Sequence, residues 1–325
     1  MCYFPKLIQN KKYRANKKNG GNIPVVKDER TKYVAVGCGN CEQCRKQKGR
    51  EWQVRITEEL KEGKKCYFVT LTFSNERLIH HMKKYNVIEG NALAKIAVRK
   101  FLERWRKEFK KSVRHWFITE LGHENTERIH LHGLIWTDEE PTNIEKHWKN
   151  GFVYLGDYVN AKTINYIIKY VSKIDGDHKD YKPIVLCSSG IGARWAKSYN
   201  THINRYDGIN TDEAYRLSNG RTVSLPIYYR NKIYSEDEKE NLWINKLDSN
   251  IRYVNGTKYY CNDEKQQEEF LKALEHKQLE NKQKGFGDDS DEWKKSKYNV
   301  TLNTLKKAKK EKEYIKWSTL RKFNK

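Results

Sequence analysis

No stretch of this 325-residue chain approaches the roughly 18 consecutive apolar residues that a membrane-crossing helix needs. The opening MCYFPKLIQNKK has no apolar segment of the kind that marks a secretory signal, so the protein is expected in the cytoplasm. A GxxxxGKS/T phosphate loop is also missing. In GIGARWAKS (190–198), Trp195 and Ala196 rather than glycine precede Lys197, and a fused ATP-driven motor is therefore not expected. Acidic residues are in deficit: 42 Asp and Glu stand against 65 Lys and Arg, for a formal net charge of +23. Solubility does not require such an excess, which points to a polyanionic partner, nucleic acid by default. Seven cysteines in a chain without a secretory signal are not expected to form a disulfide framework.

Aromatic residues, by contrast, are plentiful. The chain has 21 Tyr and 9 Trp despite a mean hydropathy of −0.98. Rings set among cations suit single-stranded nucleic acid, because bases stack on the rings while phosphates meet Lys and Arg. Ordinary core aromatics would give the same count.

Along the chain, residues 1–37 are basic and turn-rich, and RKQKGREWQVRITEELKEGKK reads as a basic helix ending near Gly63. CYFVTLTF (66–73) is a β-type run closed by the turn-like SNER. Between 91 and 111, Leu93, Ile96, Ala97, Phe101, Trp105 and Phe109 recur at helical spacing. HWFITELG (115–122) and RIHLHGLIW (128–136), joined by HENTE, read as a hairpin. GFVYLGDY reads as a further strand, and AKTINYIIKYVSKID (161–175) as a helix. This order predicts an α+β domain, an antiparallel sheet with flanking helices. RTVSLPIYY suggests one more strand, and from about 235 the chain is charged and helix-prone, ending in LKKAKKEKEYIKWSTLRKFNK. The expected organisation is a basic N-terminal region with a cysteine cluster (1–62), a core domain (63–200) and an accessory, largely helical basic region (201–325).

Candidate chemistry sits in ERIHLHGLIW. Successive strand residues point to opposite faces, so His130 and His132 share one face and Leu131 takes the other. Paired imidazoles cost desolvation unless something uses them, and a divalent metal is the commonest user; a half-exposed pair on a solvated sheet is the plain alternative. If the hairpin loop centres near Asn125, Glu120 lies opposite His130 and the three side chains converge. Two imidazoles and one carboxylate leave open positions on a metal ion, as catalysis needs. A slip of one residue would turn Glu120 away, and His123 in the loop is a fallback ligand. In NYIIKYVSK, Ile164, Ile167, Ile168 and Val171 form a helical apolar stripe. Tyr166 and Tyr170 are neighbours roughly opposite it, each followed three residues later by a lysine, Lys169 and Lys173. Tyrosines that merely cover surface would give the same pattern. In CGNCEQC, Cys38, Cys41 and Cys44 could hold a structural Zn²⁺ with Cys2 as fourth ligand, although such clusters also occur without metal.

Three segments, YFVTLTF, then FITELG with RIHLHGLIW, then YIIKYVSK, resemble in order the motifs of HUH endonucleases that initiate rolling-circle replication. The tandem tyrosines resemble those of initiators from small single-stranded DNA phages, the microviruses. MCYFPKL with CGNCEQCRKQKGREWQVR resembles the gokushovirus-type members, and the resemblance covers roughly residues 1–200. It implies the HUH endonuclease fold and a sequence-specific single-stranded DNA endonuclease and strand transferase. Glu120, His130 and His132 would hold Mg²⁺ or Mn²⁺ on the scissile phosphate, and Tyr166 and Tyr170 would act as nucleophiles, leaving a 5′-phosphotyrosine and a free 3′-OH. Lys169 or Lys173 would stabilise phosphate charge or assist the phenol. The implied partners are origin single-stranded DNA and a host helicase and polymerase, in the cytoplasm of a bacterial host. Relaxases usually place the tyrosine before the histidine pair, so the order here argues against one. A one-tyrosine transposase, or a non-catalytic zinc-stabilised nucleic-acid-binding protein, remains as an alternative.

Overall fold

The computed structural model describes residues 2–122, 128–173 and 181–288. His123, the loop around Asn125, the last two residues of the helix expected over 161–175, and the basic end LKKAKKEKEYIKWSTLRKFNK lie outside the described residues. Two compact units divide the chain. One comprises the described residues of Met1–Glu62, Val171–Ile174 and Gly190–Asp291, and the other comprises Gly63–Tyr170 together with the described residues of Asp175–Ser189.

The elements run in chain order. β1 (Lys6–Gln9) and β2 (Tyr33–Val36) pair antiparallel in the segment read as turn-rich, and α1 (Glu42–Leu60) follows. Next come β3 (Cys66–Leu71), α2 (Asn75–Tyr85), α3 (Gly90–Phe109), β4 (Arg114–Leu121) and β5 (Ile129–Trp136). After them stand α4 (Thr142–Trp148), β6 (Val153–Gly156), α5 (Ala161–Ser172) and β7 (Val185–Cys187). The remainder is the β8 (Ala214–Arg216)–β9 (Thr222–Ser224) hairpin, α6 (Ile227–Ile233), α7 (Glu236–Asp248), the β10 (Ile251–Val254)–β11 (Thr257–Tyr260) hairpin and α8 (Glu264–Gln283). RTVSLPIYY is therefore not one strand: β9 stops at Ser224, and Pro226 opens α6. The helix-prone stretch from 235 is interrupted by the β10–β11 hairpin. Among the described residues no helix is long and apolar enough to cross a membrane.

The second unit has the α+β architecture expected, a five-stranded antiparallel sheet in the order β6-β3-β5-β4-β7, consistent with an HUH-like fold. Strand alternation divides its residues between two faces. On one face Val69, Leu71, Phe117, Leu131 and Ile135 pack with Leu93, Ala97, Phe101 and Trp105 of α3 and with Ile144 and Trp148 of α4. These are the α3 positions whose spacing predicts the helix, and each large apolar side chain fully buried there contributes about 1.5–3 kcal/mol. The ring of Phe117 needs room on its neighbour. Its partner across β4–β5 is Gly133, where a Cβ would come within 2.5 Å of the Phe117 ring and 2.2 Å of the Trp116 carbonyl oxygen. The opposite face carries Phe68, Thr70, Glu120, His130 and His132.

Candidate metal centre and tyrosine pair

The β4–β5 register sets Glu120 directly opposite His130, so both share a face with His132 two residues on. β3 lies on the other side of β5 and places Thr70 opposite His132. Both imidazoles turn Nε2 onto one carboxylate oxygen: Glu120 Oε2 lies 3.1 Å from His130 Nε2 and 2.9 Å from His132 Nε2. Burial pushes the Glu120 carboxyl up, but the two histidine hydrogen bonds outweigh it and hold the group down at about 2, so it is ionised.

The ring nitrogens test whether a metal fits. His130 Nδ1 lies 3.2 Å from the Arg128 carbonyl oxygen, which can only accept, so Nδ1 carries a proton. Its Nε2 meanwhile faces an ionised carboxylate, another acceptor. A neutral imidazole cannot donate from both nitrogens, and a cation between Nε2 and Oε2 removes the conflict. His132 Nδ1 lies 3.0 Å from Thr70 Oγ1, which can accept in the same way. All three ligand atoms lie within 4.8 Å of one another. Separations near 3 Å are those of adjacent positions about a six-coordinate ion with bonds of about 2.1 Å. The donor set therefore fits a hard divalent ion with open positions, held by Glu120, His130 and His132.

Asn160 starts α5 by accepting from the backbone N–H of Lys162 at 2.8 Å and of Thr163 at 3.1 Å. One turn along, Tyr166 and Tyr170 come down on the ligands, while Ile164, Ile167 and Val171 are buried on the other side of the helix and Ile168 is half-buried. The Tyr170 ring stacks on His132 with centroids 4.6 Å apart, and Tyr166 meets the same imidazole edge-on at 6.2 Å. Tyr170 donates to the Tyr166 hydroxyl oxygen at 2.6 Å. Burial, that hydrogen bond and the Glu120 charge push the Tyr170 phenol well above its usual range, so it holds its proton. Tyr166 is 43% exposed and open to a substrate.

Lys169 and Lys173 are both exposed, and Lys173 lies one residue beyond the end of α5, its carbonyl accepting from Arg45 at 3.3 Å. In the other unit the four cysteines Cys2, Cys38, Cys41 and Cys44 bring their sulfurs within 4.8 Å of one another. Two contributors carried no chemical signal in the sequence. Thr70 orients His132, and Phe68 packs edge-on against Tyr166 at 6.0 Å and against Tyr154 at 6.1 Å. Only their alternation within YFVTLTF, which puts both on one face, could have pointed to them.

No solved structure matches the chain. Residues 66–175, the segment holding the sheet's metal ligands and both tyrosines, match a family model of replication-associated proteins of the ORF2 kind. Over 275 residues, 74% of this chain and 82% of the relative, the protein is 27% identical and similar to the replication-associated protein ORF2 of Spiroplasma virus 4.

Proposed function

We propose that this protein initiates and terminates rolling-circle replication of a small viral DNA, as a metal-dependent HUH endonuclease and strand transferase of the microvirus type. The observation that carries the proposal is the stacking of a tandem tyrosine pair on a histidine of the Glu120–His130–His132 group. Similarity to replication-associated proteins, one of them viral, supports the same reading.

Mg²⁺ or Mn²⁺ held by those three residues supplies Lewis acidity toward a phosphate oxygen and leaves coordination positions for substrate. Thr70 and the Arg128 carbonyl hold the two imidazoles in orientation. A tyrosine hydroxyl attacks the scissile phosphorus. The Oη–P bond forms, the P–O3′ bond breaks, and the phenolic proton passes overall to the departing oxygen. The products are a 5′-phosphotyrosine and a 3′-OH that a host polymerase can extend. Attack by a 3′-OH on the phosphotyrosine reverses these bonds, so strands rejoin without ATP. A second hydroxyl 2.6 Å from the first supports cutting the regenerated origin without a second molecule. Lys169 and Lys173 sit near enough in sequence to meet the phosphates of the incoming strand. On the site face of the sheet, exposed Tyr154 pairs with Thr70 in the ladder and offers a ring for base stacking. Strand separation falls to a host helicase.

The direct test is incubation with single-stranded origin DNA and Mn²⁺ or Mg²⁺, followed by denaturing electrophoresis. A metal-dependent covalent adduct is expected, and DNA binding without any adduct would instead make the protein a non-catalytic binder.

A further inference from the structure

The first unit carries a cluster that the nicking reaction does not use. β1–β2 pairing sets Lys6 opposite Val36, which brings Cys2, just before β1, beside Cys38, just after β2. Cys41 is the residue from which α1 starts, and Cys44 lies in its first turn. The two strands and the helix start thus deliver four thiols to one point. Cys41 is buried and the other three are half-buried, and none is in a disulfide.

The sulfur positions are those of a metal cage. Cys2 Sγ and Cys41 Sγ are 3.8 Å apart, and Cys38 Sγ and Cys44 Sγ are 4.0 Å apart. A tetrahedron of thiolates at about 2.3 Å from a central zinc has edges of about 3.8 Å. Backbone amides point the same way. The N–H groups of Phe4 and Cys38 donate to Cys2 Sγ at 3.3 and 3.2 Å, and the Cys41 N–H donates to Cys38 Sγ at 3.3 Å. Such donors stabilise thiolate, the form that binds metal, as does the positive end of α1. Space is also reserved: a Cβ at Gly37 would fall 2.9 Å from Cys44 Sγ.

We infer that Cys2, Cys38, Cys41 and Cys44 bind one structural Zn²⁺. Four soft thiolates in tetrahedral array suit Zn²⁺, and they close its coordination, so this ion holds the fold and does no chemistry. Zinc enters as four thiols release their protons; no oxidant or reductant takes part. What it clasps is far apart in sequence. Tyr3, Cys41 and Val254 form a small buried cluster covered by Tyr259 of β11 and by Phe270, Ala273 and Leu274 of α8. Gln278 donates to the Tyr3 carbonyl at 2.7 Å, and the Glu42 N–H donates to Asn281 Oδ1 at 2.9 Å. The ion therefore fastens the chain's first residues and the start of α1 to the C-terminal hairpin and helix of the same unit.

The experiment is zinc analysis of the full-length protein purified without chelator, in parallel with His130→Ala/His132→Ala and Cys44→Ser variants. About one zinc per chain is expected in the wild type and in the histidine variant, released by a thiol-specific organomercurial and captured by a chromogenic chelator. Cys44→Ser should lose it. Because that variant can fail to fold, a second measurement uses the wild type alone: exchange of the bound ion for Co²⁺ should give the intense absorption of a tetrahedral cobalt thiolate. Absence of zinc, bound iron in its place, cysteines oxidised to disulfides in fresh protein, or zinc lost from the histidine variant and kept in Cys44→Ser would each overturn the assignment. The result is independent of nicking activity, so the failure of either reading is distinguishable from the failure of the other.

Discussion

Tyr170 lies flat on His132, the two rings 4° from parallel with centroids 4.6 Å apart. Nucleophile and metal ligand thus share one packed contact, and the hydroxyl of the second tyrosine is one hydrogen bond away. Tyr166→Phe and Tyr170→Phe are each expected to retain single cleavage of origin DNA, whereas the double variant forms no adduct. Repeated release of circles should need both tyrosines. Peptide mapping of the adduct over many turnovers decides this: DNA on one tyrosine only, with normal circle release by the other's Phe variant, would end the two-nucleophile scheme.

Replacing either ligand histidine with alanine should lower nicking by roughly 10³-fold, since a Lewis acid contributes several kcal/mol to the transition state. Binding of single-stranded DNA should change little. A His130→Ala protein that nicks at the normal rate would remove the metal centre from the mechanism.

Thr70→Val keeps the side chain's shape and deletes the partner of His132 Nδ1. Outer partners of this kind are worth about 10–100-fold in metal affinity. Nicking by this variant should demand correspondingly more Mn²⁺ and recover at saturation, as titration of rate against metal will show. An unchanged titration curve would mean that Thr70 does not orient the ligand.

With a net charge of +23, affinity for single-stranded DNA should fall steeply with salt. A plot of log K against log salt should slope by about −0.7 for each phosphate neutralised, readable by fluorescence anisotropy. A flat response would assign the basic surface to another partner.

Acid should weaken the fold before it weakens the carboxylates. Burial depresses the pKa of His81 and His115 below the ordinary 6.5, only partly opposed by hydrogen bonding to Asn150 and to the Val113 carbonyl, respectively. Above pH 6.5 these groups are neutral in both states and cost nothing. Below it the unfolded chain takes up protons that the folded chain refuses, so stability declines as pH falls toward the folded values. Urea unfolding at pH 7.5 and 5.5 should show the drop, and His115→Gln should make it shallower.

Much of the second unit was legible because its strands alternate strongly and its hairpin is local. The two histidines one residue apart, with Glu120 ten positions upstream of His130, fix a register once a short loop is assumed, and β4–β5 adopts that register. The missed elements have physical reasons. SNER looks like a turn because the residues that cap helices are also turn formers: Ser74 accepts from the Arg77 N–H and begins α2. β1 and β2 are four residues each and pair across a long excursion, and β7 has three, too few for any period to register. In PIYY the aromatic residues suggest a strand, but Pro226 presets the start of α6. The tyrosines' position opposite the isoleucine stripe follows from helical geometry, yet which surface each side meets is decided by tertiary packing alone.

β5 sits in the middle of its sheet, bonded to β3 along one edge and to β4 along the other. Its amides can exchange with solvent hydrogen only when the sheet opens, whereas α5 keeps its amides through bonds within one exposed turn after another. The metal ligands are thus mounted on the slowest-exchanging part of the fold, and the nucleophiles on a helix that can shift without breaking a ladder. Deuterium uptake should accordingly be orders of magnitude slower across His130–His132 than across Tyr166–Tyr170: a fixed anvil beneath a pair of hammers that take turns.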